Sequence, residues 1–391
     1  MPCCFTTFYV YLQNNFENDM KILYVTDALA IWGGIERVLS DKMNYLVREY
    51  GYEVYVVTAD QGGNPIPFPL DERIIVKDLN IRFHQQYRFH GIKRWLKYRE
   101  LGKLYRNRLA SFIEEISPDV ISCIRDGCTS AVLDIKLSIP VIFESHAMYK
   151  DVEFENSTFL HRLSIYKGRK KYKRLDRIVT LTQGDADDWK CVCKKTCVIP
   201  NVVHLNESGK YSQCNAKRAI FAGRFDLQKD VDSLSKIWAL VQKRHPDWTL
   251  DVYGNGNLKP HFEEVVSNLK LNVRVHPAVI NIFDKYMESS MLLMTSLYEP
   301  FGLVLVEAMS CGLPVVAFDC PYGPADIIHD GEDGFLVKNR NLEMYSERVC
   351  MLVENEMIRQ QMGKAAILSS QRYTSERIMC QWNQLFTEMV R

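Results

Sequence analysis

Short apolar runs rich in β-branched residues alternate with longer amphipathic stretches along most of the chain. In the first half, runs such as 21–26 and 53–58 are separated by stretches with helical spacing of apolar residues, of which 35–50 and 95–116 are the longest. This alternation is typical of parallel sheets covered by helices on both faces. It resumes near residue 219, so the sequence predicts an α/β protein with two doubly wound, Rossmann-like domains.

The same pattern predicts the individual elements and the domain boundaries. Strands are predicted at 21–26, 53–58, 74–79, 120–124, 140–144, 177–181, 196–200, 219–222, 249–253, 273–276, 291–295, 314–317 and 335–337. Helices are predicted at 35–50, 95–116, 230–245, 258–269, 303–309 and 374–390. The N-terminal domain is predicted at 20–200 and the second domain at 201–373, with a polar linker after residue 200. Residues 1–19 lack a charged start and a small-residue cleavage site, so they are interpreted as an extension outside the fold.

Composition narrows the class of protein. The chain has 391 residues, of which 47% are hydrophobic and 25% charged, which is enough apolar material for two domains of ordinary size. A net charge of +1 argues against a general nucleic-acid binder. The twelve cysteines are scattered and no secretory signal is recognisable, which favours reduced thiols in the cytoplasm. The expected location is therefore cytoplasmic, with peripheral attachment to the inner face of the plasma membrane left open.

Two basic runs, Arg88–Arg108 and Arg169–Arg174, lie in the first half of the chain. In the first run, cationic residues alternate with apolar ones in a pattern expected of an amphipathic helix. One interpretation is an ordinary helix with a solvated cationic face. The other is a surface for anionic lipid, to which each basic residue near a charged leaflet contributes about 1 kcal/mol.

Two carboxylates stand out in the second half. Glu299 precedes Phe301 and Gly302 on a predicted loop, and Glu307 lies on the predicted helix that begins at Leu303. The N–H groups and positive dipole end of a helix start suit a phosphate, and carboxylates can hold neighbouring hydroxyls. An isolated pair of this kind would be interpreted as a solvated loop acid and an exposed helix residue. The Gly and Pro residues that punctuate this segment instead favour a nucleotide-sugar site.

A further loop carries two cations. Arg224 and Lys229 follow a predicted strand and precede a predicted helix, which directs them to the carboxyl end of the sheet. Fixed cations there stabilise the charge that develops on a leaving diphosphate without a metal. Asp230 and Asp232 formally make a D-x-D metal motif, but their place at a helix start favours capping. No catalytic metal and no cofactor are predicted.

The remaining candidates carry weaker signals. Gly33 and Gly34 follow the first strand and allow the backbone to approach a phosphate or sugar closely, although any tight turn uses such a pair. No G-x-G-x-x-G follows that strand, which disfavours a dehydrogenase. His146 follows a later strand, where a lone histidine is more often structural. Glu144 is a candidate acceptor-side acid that the spacing does not establish.

The motifs resemble the donor site of retaining glycosyltransferases of family 4. The resemblance depends on three motifs: E-x-F-G-L at 299–303, G-x-P-V-V-A at 312–317 and G-R-x4-K at 223–229. The family often has glycine at the position after this last motif, where this chain has Asp230. The resemblance covers nearly everything from Met20 onward and implies a GT-B fold, with two domains facing a central cleft. It also implies that the C-terminal helix in 374–391 returns to the N-terminal domain.

The resemblance implies a metal-independent, retaining transfer of a hexosyl unit from a nucleoside diphosphate donor, with UDP the default. The acceptor is a hydroxyl of a glycan or lipid-linked molecule in surface polysaccharide synthesis. By this resemblance, the donor site comprises Gly33, Gly34, Arg224, Lys229, Glu299, Phe301, Gly302, Leu303 and Glu307, and His146 contacts the donor sugar. Glu299, His146, Arg224 and Lys229 are the implied catalytic set.

Two alternatives remain open. A non-catalytic partner of another transferase would keep the nucleotide-sugar pocket, although the full set of charged residues argues against this. A GT-B epimerase would convert the donor with no acceptor present.

Overall fold

The computed structural model describes residues 20–149 and 168–391, so the predicted extension at 1–19 lies outside the described residues. Within this range the strands form two parallel sheets, one of seven strands in the order β3-β2-β1-β4-β5-β6-β7 and one of six in the order β10-β9-β8-β11-β12-β13. The first sheet comprises β1 Lys21–Thr26, β2 Glu53–Thr58, β3 Ile75–Asp78, β4 Val120–Cys123, β5 Val141–Ser145, β6 Arg177–Thr180 and β7 Thr196–Val198. The second comprises β8 Arg218–Ala222, β9 Thr249–Tyr253, β10 Val273–His276, β11 Met291–Met294, β12 Val315–Phe318 and β13 Gly334–Val337.

Helices connect the strands. They are α1 Gly34–Tyr50, α2 Gly91–Ile116, α3 Asp126–Asp134, α4 Gln183–Trp189, α5 Val231–Arg244, α6 Lys259–Asn268, α7 Phe283–Met287, α8 Leu303–Ser310, α9 Gly323–Ile327, α10 Leu342–Glu354, α11 Glu356–Ser370 and α12 Ser375–Val390. Among the helices of the described ranges, none combines the length and apolar character that a bilayer crossing requires.

All predicted strands and helices are present, and the predicted fold class of two Rossmann-like α/β domains is confirmed. Two differences concern the helices. Helix α2 begins at Gly91, four residues before the predicted start, and α3, α4, α7, α9, α10 and α11 were not predicted. The missed helices are mostly short or begin at asparagine caps rather than after a strand.

Contacts divide the chain into two compact units. Of the described residues, the first unit holds 20–144, 168–177 and 384–391, and the second holds 145–149 and 178–383. The core of the second unit joins buried residues of its strands to buried residues of helices α5 and α10, and buried residues continue to Met294 at the carboxyl end of β11. Trp238 of α5 and Phe221 of β8 are buried there, and the buried Tyr345 hydroxyl accepts from Met294 N at 3.0 Å and donates to Val316 O at 2.5 Å. This cross-linked core gives the loops at that edge a rigid base.

Candidate functional site

The strand order of the second sheet reverses between β8 and β11. These strands are neighbours, with Met291 opposite Ala219, while the chain leaves them toward opposite edges of the sheet. Ligands of open parallel sheets bind at such a switch point, outside the carboxyl ends of the strands. The loops that leave β8 and β11 there are residues 223–230 and 295–302, which carry the predicted cations and the first predicted carboxylate.

Lys229 and Glu299 meet at this switch point. The Lys229 Nζ atom lies 2.5 Å from Glu299 Oε2, and the Ser296 hydroxyl donates to the same oxygen at 3.1 Å. The side chains of Lys229 and Glu299 are 12% and 11% exposed. Glu299 is therefore a buried, paired carboxylate, and the interpretation as a solvated loop acid is wrong.

The backbone of Glu299 is tied to the loop that follows β12. Its N–H donates to Pro321 O at 2.6 Å, and its carbonyl accepts from Tyr322 N at 3.0 Å and Gly323 N at 2.8 Å. A Cβ atom on Gly323 would lie 1.6 Å from Phe301 O, so only glycine permits this approach. These backbone contacts hold the loop of Glu299 against the start of α9.

Helix α8 begins beside this carboxylate. Gly302 precedes the helix with a φ of 108°, a conformation that favours glycine, and Leu303 is the first helical residue. The N–H of Leu305 already donates to Gly302 O at 3.0 Å, while the first N–H groups of a helix, here those of Leu303 and Val304, generally lack an intrahelical acceptor and can bind an anion. Glu307 lies on the second turn and is buried, and its charge adds to burial in raising the pKa of Tyr286 well above its usual value. The interpretation of Glu307 as an exposed helix residue is also wrong.

Arg224 has different surroundings from Lys229. Its side chain is 71% exposed, its Nε lies 3.1 Å from Asp226 Oδ2, and its Nη2 donates to Gln228 Oε1 at 3.1 Å. The predicted partnership of Arg224 with a diphosphate therefore stays a prediction.

The predicted capping role of the D-x-D sequence is confirmed for Asp230. Asp230 precedes α5 and accepts from Ser233 N at 3.2 Å and Ser233 Oγ at 2.6 Å, while Asp232 pairs with His261 Nε2 at 3.1 Å. Asp230 has a φ of 45°, which accounts for the departure from glycine, since aspartate tolerates this region better than most residues. In the described part of the chain, no cluster of three or more His, Cys, Asp or Glu residues is arranged to hold a metal.

A neighbouring loop supports the one that carries Lys229. Cβ atoms on Gly254 and Gly256 would lie 1.9 Å from Gly223 O and 2.3 Å from Phe225 O, and Phe225 N donates to Asn255 O at 3.0 Å. The two backbones therefore pack directly on each other, which requires residues without side chains at both contacts.

His146 lies on a loop that an unpredicted residue anchors. The carboxylate of Asp185 accepts from Tyr149 N at 2.7 Å and from Ser145 Oγ at 3.0 Å, and Trp189 Nε1 donates to Ser145 Oγ at 3.0 Å. Burial raises the pKa of Asp185 to about 6. This network fixes both ends of the loop 145–149, although the role of His146 itself stays a prediction.

Asp185 had a readable local signal. It stands at the third position of α4, whose N-cap Thr182 accepts from Asp185 N at 3.4 Å through its side chain. The spacing T-x-x-D marks a helix start. That this carboxylate also binds the loop of His146 depends on contacts across about 40 residues, which no local pattern reveals.

Two candidates lie in the first unit. Gly33 is the N-cap residue of α1, which begins at Gly34, one residue before the predicted start, and a Cβ on Gly33 would lie 2.6 Å from Glu36 Oε2. The predicted place of both glycines in the donor site stays a prediction. Glu144 is engaged internally: it forms an ion pair with Lys42 in which both side chains are 2% exposed, and Ser122 Oγ donates to its Oε1 at 2.6 Å. The interpretation of Glu144 as an acceptor-side acid is therefore wrong, because its carboxylate is buried and paired.

Two family models match the chain one after the other. The model described as Glycosyltransferase Family 4 matches residues 32–207, and the model described as Glycosyl transferases group 1 matches residues 209–368. An uncharacterized glycosyltransferase of Haemophilus influenzae is 28% identical over 360 residues, which cover 90% of this chain and 95% of that protein. The amylovoran biosynthesis glycosyltransferase AmsD of Erwinia amylovora is 26% identical over 377 residues, which cover 93% of this chain and 99% of that protein.

A solved structure has the same fold. A mutant of TarM from S. aureus, in complex with Fondaparinux, alpha-GlcNAc-glycerol and UDP, superposes with a TM-score of 0.74 at 17% identity, covering 94% of this chain and 99% of that one. With the family matches, this defines the class: the chain is a glycosyltransferase with the GT-B fold. The family 4 match falls on its first part and the group 1 match, with the Lys229–Glu299 pair, on its second.

Proposed function

We propose that this glycosyltransferase is a retaining enzyme that moves a hexosyl unit from a UDP-sugar to a hydroxyl of a glycan or lipid-linked acceptor in surface polysaccharide synthesis. The observation that carries the proposal is the buried Lys229–Glu299 pair beside the open first turn of α8. AmsD, a relative named for amylovoran biosynthesis, and the UDP complex of TarM support the acceptor and donor classes.

The site residues take complementary parts in binding the donor. The N–H groups at Phe301, Gly302 and Leu303 and the ammonium of Lys229 bind the diphosphate, because each supplies positive charge or donors where negative charge develops. Glu307 binds the ribose hydroxyls and Glu299 the hydroxyls of the sugar. Arg224, exposed at the rim, adds a second cation, and His146 contacts the sugar.

The transfer itself needs no metal. The acceptor oxygen bonds to the anomeric carbon on the face that the phosphate leaves, as the bond from that carbon to the phosphate oxygen breaks. The proton of the acceptor hydroxyl passes to the leaving phosphate oxygen. Charge on the departing diphosphate is stabilised by Lys229 and the helix start, which are positioned before the reaction.

Nucleotide release and product configuration test this function. The purified protein is incubated with a panel of nucleotide sugars, with and without glycan acceptors, and thermal stabilisation and released nucleotide are measured. We expect one UDP-sugar to raise the unfolding temperature, an α-linked donor to give an α-linked product by NMR, and Glu299→Gln to abolish turnover. Glu264→Gln, an exposed glutamate of α6, serves as the matched control.

The same assay separates the alternatives. Binding without turnover in the presence of every acceptor would indicate a non-catalytic partner. Conversion of the donor into a different nucleotide sugar without acceptor would indicate an epimerase. Inversion at the anomeric carbon would contradict the retaining mechanism.

We further propose a peripheral membrane location on anionic lipid at the inner face of the plasma membrane. Ile92, Trp95 and Leu96 share one side of the first turns of α2 and are 77%, 54% and 53% exposed. Basic residues flank them, and the guanidinium of Arg99 lies 4.7 Å from the Trp95 ring. An amphipathic helix with exposed apolar residues and cations is typical of interfacial binding.

In the second basic run, Lys173 and Arg174 are exposed, whereas Lys171 has an acidic partner. Lys171, within Arg169–Arg174, is bound to Asp134 at 2.7 Å, so its charge is already paired.

Sedimentation with phosphatidylcholine vesicles, with and without phosphatidylglycerol, tests this location. We expect binding only to the anionic vesicles at low salt, and loss of binding in a triple serine variant of Ile92, Trp95 and Leu96. Met357→Ser/Leu368→Ser, which removes similarly exposed apolar side chains from the second unit, is the control. Equal binding by both variants would contradict the proposal.

A further inference from the structure

A single arginine joins three loops at the carboxyl edge of the second sheet. Arg340, which follows β13, donates from Nη1 to Ser296 O at 2.9 Å and from Nη2 to Thr295 O at 3.1 Å. Its Nη2 also pairs with Asp230 Oδ2, and its guanidinium lies 4.2 Å from the Phe318 ring centroid. The loops after β8, β11 and β13 are thus held by one side chain.

The pairing occurs at two unusual backbone positions. Asp230 has a φ of 45° and Arg340 a φ of 49°, a region that side chains other than glycine adopt rarely. Such conformations persist where surrounding contacts determine them. The ion pair between Asp230 and Arg340 and the hydrogen bonds around it hold both residues in these backbone conformations.

The residues that Arg340 contacts also position the candidate donor site. Asp230 is the next residue after Lys229. Thr295 Oγ1 donates to Lys229 O at 2.9 Å, and Ser296 Oγ donates to Glu299 Oε2 at 3.1 Å. Arg340 therefore touches both loops that carry the Lys229–Glu299 pair, through residues that are themselves bonded to its members.

We propose that Arg340 and Asp230 form a brace that positions Lys229 and Glu299 for the diphosphate and sugar of the donor. This rests on the proposed donor-binding function of that pair. The Nη atoms of Arg340 point to protein oxygens and its plane covers Phe318, so it acts as a positioning residue. Planar, multidentate donation suits arginine for this role and not lysine.

Four variants test the brace, and a fifth, Arg340→Lys, tests the geometry of the guanidinium. Asp230→Asn keeps the helix cap and a residue that tolerates positive φ but removes the charge that pairs with Arg340. Arg340→Gly removes the guanidinium at a position whose backbone suits glycine. The double variant completes a cycle. Arg348→Ala is the matched control, since Arg348 also lies over an aromatic ring, that of Phe335 at 4.8 Å, but belongs to helix α10 and not to one of these loops.

Two readouts are measured on each variant. The acetylation rate of Lys229, followed by mass spectrometry on the ligand-free protein, reports how firmly the pair is held. The dissociation constant for UDP, from calorimetry, reports the consequence for binding. We expect about tenfold faster acetylation and about tenfold weaker UDP binding in Asp230→Asn and in Arg340→Gly, with no further change in the double variant. Arg348→Ala should match the wild type in both.

Wild-type acetylation of Lys229 in Arg340→Gly, or multiplied effects in the double variant, would overturn the brace. Failure of the wild type to bind UDP or any other nucleotide would instead remove the proposed function, while the acetylation rates would still decide whether the brace exists. Wild-type acetylation and UDP binding in Arg340→Lys would show that a positive charge alone suffices and would contradict the requirement for multidentate donation by a guanidinium.

Discussion

The buried carboxyl of Asp185 makes the stability of this protein depend on pH in a direction opposite to that of most carboxylates. Asp185 is 3% exposed, and its burial raises its pKa from 3.8 to about 6. The hydrogen bonds around it explain why the protonated form fits. Ser145 has one hydroxyl proton, which lies within reach of both Ala147 O at 2.8 Å and Asp185 Oδ2 at 3.0 Å. A protonated Asp185 can donate to Ser145 and leave that proton for Ala147.

The magnitude follows from proton linkage. Each pKa unit corresponds to about 1.4 kcal/mol, so a rise from 3.8 to about 6 corresponds to about 3 kcal/mol. Because the folded pKa is the higher one, the folded state binds the proton more tightly between these two values. The stabilisation is fully present below the unfolded pKa of 3.8 and is lost as pH rises through about 6.

Substitution Asp185→Asn tests this account. Asparagine can accept from Tyr149 N and donate to Ser145 Oγ, as the protonated acid does, but it does not titrate. We expect the variant to unfold at a temperature several degrees above the wild type at about pH 8, with about 2–3 kcal/mol of added stability, and to match it near pH 4. Thermal unfolding by circular dichroism across this range measures the difference.

The matched control is Asp187→Asn on the same helix. Asp187 is exposed, and its pKa is lowered by Lys190 at 2.7 Å and by Gln183, so its replacement should not raise stability at alkaline pH. If Asp185→Asn showed the same dependence of unfolding temperature on pH as the wild type, the reasoning from burial and hydrogen-bond satisfaction would be refuted.

Two further predictions concern packing and charge. Gly323→Ala would place a Cβ atom 1.6 Å from Phe301 O, so we expect a loss of about 3 kcal/mol or more in thermal unfolding and of nucleotide binding, while Gly127→Ala, whose Cβ would meet nothing within 4 Å, should be mild. Lys42→Met would leave Glu144 buried without its cation and should cost about 3–5 kcal/mol, measured by chemical denaturation; Lys42→Met/Glu144→Leu should recover most of this loss, and no recovery would contradict a simple charge-pair origin.

The strands of both sheets could be predicted from the sequence because most are short apolar runs between turn residues, and β3 and β10 still contain β-branched residues. Helices α10 and α11 were missed, although each begins at an asparagine whose side chain caps it: Asn341 accepts from Met344 N, and Asn355 accepts from Ile358 N. These caps are local signals. The alternation of strands and helices does not predict these two helices, because they follow each other directly with no strand between them.

The candidate site was predictable in its residue types but not in its pairing. Glu299 and Gly302 stand out because a phosphate site needs an open helix start beside polar groups. That Glu299 bonds Lys229, seventy residues away, follows from the placement of β8 next to β11, which is a property of sheet order. The exposure of the apolar side of α2 could not be predicted either, because helical periodicity does not show whether another element covers that side.

The long-range contacts that hold the site in place cannot be predicted from motifs. Arg340 and Asp185 contact the loops of Glu299 and His146 through carbonyls, backbone N–H groups and hydroxyls, which almost any sequence can supply. Their partners are therefore defined by geometry rather than by residue type, and no spacing rule identifies them. It follows that sensitivity to substitution in this protein should extend well beyond the motif residues, to buried or half-buried charged side chains that bond to loops at the carboxyl edge of a sheet.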